Sequence, residues 1–242
     1  MATFVLVHGG GHGGWCYQLV AKILRAGGHE VYCPTLTGLA EREHLLSDQV
    51  NLDLHITDVV KLLQFEDLSQ VILVGHSYGG MVITGVADRA TDRIGNVVYL
   101  DAAYPMNNQS LADVAEPLMT AAHRDAEVVD GVELVLFPGK FPMTESDYYG
   151  VTDPELIAWM KPKLTPHPWA CFTQKLALSN EEAMRKLPQS FIVCSANVQE
   201  EYREILNSLC EGRFWEIDTG HDLMITEPEF VAGALQQIAD QL

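Results

Sequence analysis

One serine is set apart by its neighbours. Ser77 lies in Gly75-His76-Ser77-Tyr78-Gly79, a G-x-S-x-G run preceded by four apolar residues, Val71 to Val74. A serine hydroxyl is a poor nucleophile until a base takes its proton. The chain holds nine histidines. His221 suits the task best: it follows the strand expected over 213–217, comes after the serine, and sits in a tight polar frame, Asp218-Thr219-Gly220-His221-Asp222. A base of this kind needs an acid to orient its ring. Asp101 ends the run Val97-Val98-Tyr99-Leu100, and a charge at the end of a buried run calls for a partner, because an unpaired buried charge is costly. The stretch after the later apolar run 190–194 reads Ser195-Ala196-Asn197-Val198-Gln199 and offers no carboxylate. Glu200 and Glu201 are further on and read as the opening of a helix, and they stay open as alternative acids. Asp218 and Asp222 read as residues that shape the loop. The chemistry these types imply is acyl transfer: Ser77 attacks a carbonyl, His221 takes the proton, and Asp101 holds the imidazole.

An attacked carbonyl needs donors for its developing negative charge. Residues 9–14, Gly-Gly-Gly-His-Gly-Gly, match G-x-G-x-x-G literally and fall between a strand and a helix. A dinucleotide site would need an acidic residue at the end of the second strand. That strand ends Val31-Tyr32-Cys33-Pro34, and Glu30 is at the wrong end. The loop therefore reads as an oxyanion loop, with the Gly10 amide acting beside that of Tyr78. His8 and His76 are explained by local hydrogen bonding within the two motifs, and His167, between prolines, reads as a turn residue. A zinc site from His8 and His12 lacks a third ligand at metal-type spacing.

Elements must bring these residues to one place. The pattern predicts strands over 3–7, 30–33, 71–74, 94–100, 190–194 and 213–217. It predicts helices over 15–26, 52–64, 80–90, 200–209 and 228–241. Strands alternating with helices imply an α/β fold with a doubly wound, mostly parallel sheet, whose ligands bind at the carboxyl ends of the strands. Ser77, Asp101, His221 and the glycine loop each follow a strand. The alternation breaks over 105–186, a proline-rich stretch with candidate helices over 111–122, 153–160 and 169–178. This stretch reads as an inserted helical cap on a core formed by 1–104 and 187–242. The cap is expected to set substrate class. Gly11, Met119, Phe137, Trp159, Trp169 and Met224 are the candidate substrate contacts, and Leu118, Phe141, Tyr148 and Phe172 add apolar surface. Such a lining favours an aromatic acyl group.

Composition narrows the partners. A formal net charge of −18 argues against nucleic acid and anionic membrane surfaces. No apolar stretch approaches the length of a membrane span. Five scattered cysteines with no C-x-x-C read as free thiols in a reducing compartment, and no leader is visible at the amino end. The expectation is a cytoplasmic protein acting on a small molecule, as a monomer or homodimer.

Four segments together carry a family resemblance. They are Val5-Leu6-Val7-His8-Gly9-Gly10-Gly11-His12-Gly13-Gly14-Trp15, Gly75-His76-Ser77-Tyr78-Gly79-Gly80-Met81, Val98-Tyr99-Leu100-Asp101-Ala102 and Gly220-His221-Asp222. Over essentially its full length the chain resembles α/β-hydrolases of the plant methylesterase and hydroxynitrile-lyase group. The resemblance implies a Ser77–His221 pair, an oxyanion hole at Gly10 and Tyr78, and hydrolysis of a methyl ester or methyl carbamate through an acyl-enzyme. No metal or organic cofactor is implied. Two departures stand out. The group's acid after the penultimate strand is absent, and the segment around Asp101 instead resembles haloalkane dehalogenases, which carry their acid after the strand that follows the nucleophile. The lyases place a lysine directly after the catalytic histidine, where this chain has Asp222, so cyanohydrin cleavage is not expected. A non-catalytic small-molecule receptor on the same fold is the reading from another class.

Overall fold

The computed structural model describes residues 1–137 and 148–242. Its centre is a six-stranded sheet built from β1 (Thr3–Val7), β2 (Glu30–Tyr32), β3 (Val71–His76), β4 (Ile94–Leu100), β8 (Gln189–Cys194) and β9 (Phe214–Ile217). The order is β2-β1-β3-β4-β8-β9, and every pairing is parallel. Every residue of β3, β4 and β8 is buried, as expected of central strands covered on both faces. That double burial is why these strands read as unbroken apolar runs.

Helices cover both faces. On one side lie α1 (Gln18–Ala26), α10 (Leu223–Thr226) and α11 (Pro228–Ala239), packed with Phe4, Leu6 and Val98. On the other lie α2 (Leu52–Phe65), α3 (Gly79–Arg89) and α9 (Glu200–Cys210), packed with Val5, Leu73 and Val97. Adjacent strand residues thus feed opposite cores, the period of two that a pleated strand imposes. The α2 helix starts at Asn51, whose side chain accepts from the Leu54 amide at 3.0 Å, a standard N-terminal cap.

Between β4 and β8 the chain leaves the sheet. This segment holds α4 (Leu111–Val114), α5 (Glu116–His123), α6 (Pro154–Met160), α7 (Trp169–Thr173) and α8 (Glu181–Met184). It also forms a small antiparallel sheet of β5 (Glu127–Val129), β6 (Val132–Val135) and β7 (His167–Pro168), which the sequence pattern had not suggested. The expected helix over 111–122 is two helices. Pro117 has no amide to continue a helix and sits in the first turn of α5, a position that tolerates proline. The expected helix over 169–178 ends at Thr173. Phe141, one of the expected cap aromatics, falls outside the described residues.

Strand order reverses between β1 and β3, so the loops after these two strands flank one crevice. The glycine loop follows β1 and Ser77 follows β3, with Val7 in register with Gly75.

Candidate active site

The turn after β3 is strained by design. Ser77 has φ +53°, the left-handed region that side chains rarely occupy, and its carbonyl accepts from the Gly80 and Ala103 amides at 3.0 and 3.1 Å. The flanking glycines are there for space. A Cβ on Gly75 would stand 2.5 Å from the Gly79 carbonyl oxygen, and one on Gly79 would stand 2.7 Å from that of Val7.

Asp101 follows β4 with φ +43°, and its amide donates to the Ile192 carbonyl at 2.7 Å. Its carboxylate is almost closed to solvent and lies 2.5 Å from His221 Nδ1. Two further donors hold it: the Cys194 amide at 3.1 Å and the Asn197 side-chain amide at 2.7 Å. Burial favours the protonated acid, but the His221 hydrogen bond and charge with these two donors outweigh it and hold the carboxyl down at about 2. The same contact works on the imidazole. Burial disfavours its cation, yet the hydrogen bond and charge of Asp101 hold His221 above the ordinary 6.5. Asn197 stands after β8, where the sequence offered no acid. It serves instead as a donor to an acid reaching over from the neighbouring strand. Glu200 lies in the first turn of α9 and pairs with Arg203.

The His221 loop is pinned on two sides. Cys194 Sγ donates to the Gly220 carbonyl at 2.8 Å, and His76 Nε2 donates to the His221 carbonyl at 2.9 Å. Behind it lies a second pair. Asp222, fully buried, meets His12 Nε2 at 3.0 Å, and His12 Nδ1 reaches the Gly10 carbonyl at 2.8 Å. Both ring nitrogens of His12 are thus engaged, one by the carboxylate and one by the backbone carbonyl. Burial raises the Asp222 carboxyl, but the charge and hydrogen bond of His12 overcome this and lower it. Sequence reading gave Asp222 only a loop-shaping part and missed its link to the glycine loop. The signal available was a carboxylate directly before the apolar run Leu223-Met224-Ile225.

Gly10 and Tyr78 border the same cavity as Ser77, Asp101 and His221. The Tyr78 hydroxyl donates to His55 Nδ1 at 2.9 Å, and His55 Nε2 donates to the Thr37 carbonyl at 2.9 Å. The glycine loop is laced to the segment ahead of α7. The Gly11 amide donates to His167 Nδ1 at 3.2 Å, and the Thr165 amide donates to the Gly11 carbonyl at 3.0 Å. His167 is therefore fully buried rather than an exposed turn residue. His8 and His76 are also buried, which pushes each down to about 3 and keeps them neutral. Among the described residues, one group could gather a metal: His55, His167 and Cys171. Both nitrogens of His55 are already engaged, so it reads as the support of Tyr78.

The cavity is large, about 1450 Å³. Of the six expected substrate contacts, Met119 and Phe137 line it, and four lie elsewhere. Gly11 (φ +73°) is covered by Phe137, whose Cγ would be 2.4 Å from a Cβ there. Trp159 packs edge-on against Trp15, and Trp169 stacks on His123. Met224 is fully buried in the core beneath α10. The reason is one of direction: Trp159 and Trp169 turn to ring partners and Met224 to the core, while Gly11 is covered by Phe137. Leu118 and Phe172 do line the cavity; Tyr148 is buried away from it.

Comparison with known proteins agrees with this architecture. The model of the alpha/beta hydrolase family matches residues 4–234. The chain belongs to the alpha/beta hydrolase family. The hydrolase is 36% identical over 242 residues to a carbendazim hydrolyzing esterase from Nocardioides sp., covering 97% of this chain and 98% of that protein. It is 26% identical to methylesterase 8 of Arabidopsis thaliana, over 98% of this chain and 89% of the relative. Among solved structures, an extracellular alpha/beta-hydrolase from a Paenibacillus species aligns with a TM-score of 0.76 at 26% identity, over 98% of each chain. Polyneuridine aldehyde esterase aligns with a TM-score of 0.79 at 20% identity, over 99% of each chain, and shares the fold. No helix among the described residues is long and apolar enough to cross a membrane.

Proposed function

We propose that the hydrolase is a serine esterase that cleaves a methyl ester or methyl carbamate of an aromatic compound through an acyl-enzyme. The reading rests on one observation: His221 Nδ1 lies 2.5 Å from a nearly buried Asp101 carboxylate, and both border the cavity that Ser77 borders. His221 Nε2 has no partner among the described residues and is the nitrogen left to take the Ser77 proton. Asp101 fixes the tautomer and stabilises the imidazolium. The Gly10 and Tyr78 amides receive the developing oxyanion, each donor contributing about 3 kcal/mol. Methanol leaves, and water activated by His221 then hydrolyses the acyl-enzyme. Residues 105–186 serve as the cap. The likeness to the Nocardioides enzyme makes carbendazim the first substrate to try. Its methyl carbamate would give methanol and a carbamic acid that loses carbon dioxide to leave 2-aminobenzimidazole.

Methanol release over a panel of aryl methyl esters and methyl carbamates, carbendazim included, tests the reading. Turnover that disappears in Ser77→Ala supports it. Tight binding of an aromatic ligand with no turnover by the unaltered protein would favour a receptor instead.

A further inference from the structure

The cavity at Ser77 is larger than its proposed chemistry requires. Sites for drug-sized molecules measure roughly 300–1,000 Å³, against about 1450 Å³ here. The surplus has a direction. Gln189, Phe191 and Val193 alternate along β8 and all line the cavity, as does Tyr99 of β4, in register with Phe191. Val193 precedes the residue whose amide holds Asp101, so it lies beside the reaction centre. Gln189 is at the other end of the strand. Four residues of strand advance about 13 Å, so the space runs down the sheet face away from Ser77. That distance matches an extended chain of about ten carbon atoms.

The walls are apolar. Tyr202, Ile205 and Leu209 share one face of α9 at helical spacing. They line the cavity, yet they are 43%, 53% and 42% exposed. Leu118 of α5 lines it too and is 43% exposed. Apolar side chains that line one cavity and remain open to solvent form a slot that an apolar body can fill, with release of water. The far end carries the one Lys or Arg side chain among the described residues that line the cavity, Arg185. It is met there by Glu181 at 3.0 Å and by the Pro105 carbonyl, and it lies over the Tyr104 ring. A charged tip on a ligand would have to compete with this ion pair, one member of which carries the same sign as the ligand.

We infer that this slot takes the acyl part of the substrate as an elongated, uncharged apolar chain, on the order of ten carbons long. The inference rests on the esterase part of the proposed function, in which the small leaving group is methanol and the bulk of the substrate is acyl, and it does not require that acyl group to be aromatic. It goes beyond that reading because it sets a length, a direction and a lack of charge.

Methyl alkanoates from butyrate to decanoate test it in two ways. In the unaltered hydrolase, kcat/KM for methanol release should rise about threefold per methylene, following the apolar area removed from water, and level off near ten carbons. In Ser77→Ala, calorimetric titration should show methyl decanoate binding about 700-fold tighter than methyl butyrate, on the same methylene increment over six methylenes. The titration reads the slot even if the protein hydrolyses nothing, so failure of the esterase reading and failure of the slot are told apart. Ile205→Glu, at a half-exposed position that leaves the melting temperature in place, should cut the decanoate-to-butyrate ratio about tenfold or more, and Ile205→Leu should preserve it. An ω-carboxylate on the decanoyl chain should remove most of the gain. A flat series in the binding titration, or a ratio untouched by Ile205→Glu, overturns the slot.

Discussion

Two histidine–carboxylate pairs lie side by side behind the Ser77 loop, and they differ in a way that assigns their work. His221–Asp101 sits at the cavity wall, with the imidazole about a quarter exposed and only Nδ1 engaged. His12–Asp222 is sealed: the side chains are 2% and 0% exposed, and both nitrogens of His12 are committed. A general base needs a free nitrogen and access to the substrate, and only His221 has both. A buried base with both ring nitrogens engaged has no free nitrogen to offer a substrate; what it can do is hold. What His12–Asp222 holds is the Gly10 carbonyl at one end and, through Asp222, the residue that follows His221. The adjacency of His221 and Asp222 in sequence therefore joins the proposed base to a buried anchor.

Ser77→Ala is the strongest break. It should lower kcat by about 10⁴-fold or more while the fold persists, in line with losses seen when a nucleophile is removed. Stopped hydrolysis with an unchanged melting temperature is the expected result, and retained turnover sinks the mechanism. Asp101→Asn comes next. It keeps the shape but removes the charge and allows the wrong tautomer, and a fall of about 10³–10⁴ in kcat is expected. A fall of less than tenfold would move the acid to Glu200 or Glu201.

Asp222→Asn probes the other pair, and it should strike stability rather than chemistry. Removing one partner of a buried ion pair strands the other charge, at a cost of about 3 kcal/mol. Urea unfolding should show that loss, with kcat for the folded protein within about tenfold of the parent, the scale of a loop shift rather than of triad loss. A variant as stable as the parent would show that the buried His12–Asp222 contact does not hold the fold.

Proton titration separates the pairs further. Asp101 holds His221 above 6.5, and His221 must be neutral to act as base. The acid limb of the kcat/KM profile should therefore have its midpoint above 6.5, and it should move down in Asp101→Asn. Stability has its own window. His8 and His76 are pushed down to about 3, and His55 to about 4, by burial. Each is neutral when folded and takes up a proton on unfolding below 6.5, so stability should fall as pH drops from 6.5 toward 4. Asp101, lowered to about 2, contributes above the unfolded carboxyl value, and that contribution is lost only as pH falls from about 4 toward 2. Melting temperatures that stay level from pH 6.5 to 4 would contradict the buried neutral histidines.

The contrast also explains what could be read from sequence. The strand ends were legible because central parallel strands are apolar throughout, so a Gly-rich turn or Asp101 at their ends stands out. The glycines around Ser77 were legible because backbone crowding admits no side chain. Contacts that join distant stretches were not. Nothing near Asp222 indicates His12, 210 positions away, and nothing near Asn197 indicates Asp101. Which way Trp159 and Trp169 would turn was equally hidden, since an aromatic ring in a helical segment serves a core as well as a cavity. The small sheet β5-β6-β7 escaped because its strands are two to four residues long, too short to show a period.

The mildest change asks whether Asn197 helps to define the working pair. Its amide donates to Asp101 Oδ2 at 2.7 Å, the oxygen that also meets His221. A hydrogen bond to a charged group contributes roughly 1.5–3 kcal/mol when water is excluded. Asn197 is exposed, so in Asn197→Ala water takes up the freed lone pair, and the loss in kcat should be only about three- to tenfold, below that bound. The sharper version moves the charge. In Asp101→Asn with Asn197→Asp, the carboxylate stands after β8 and the amide after β4, a hydrogen bond's length apart and facing the same imidazole. If orientation and charge at His221 Nδ1 are what the acid supplies, the double variant should recover about tenfold or more over Asp101→Asn alone. No recovery would mean that the strained turn at Asp101, and not merely a carboxylate within reach, sets the angle of the ring.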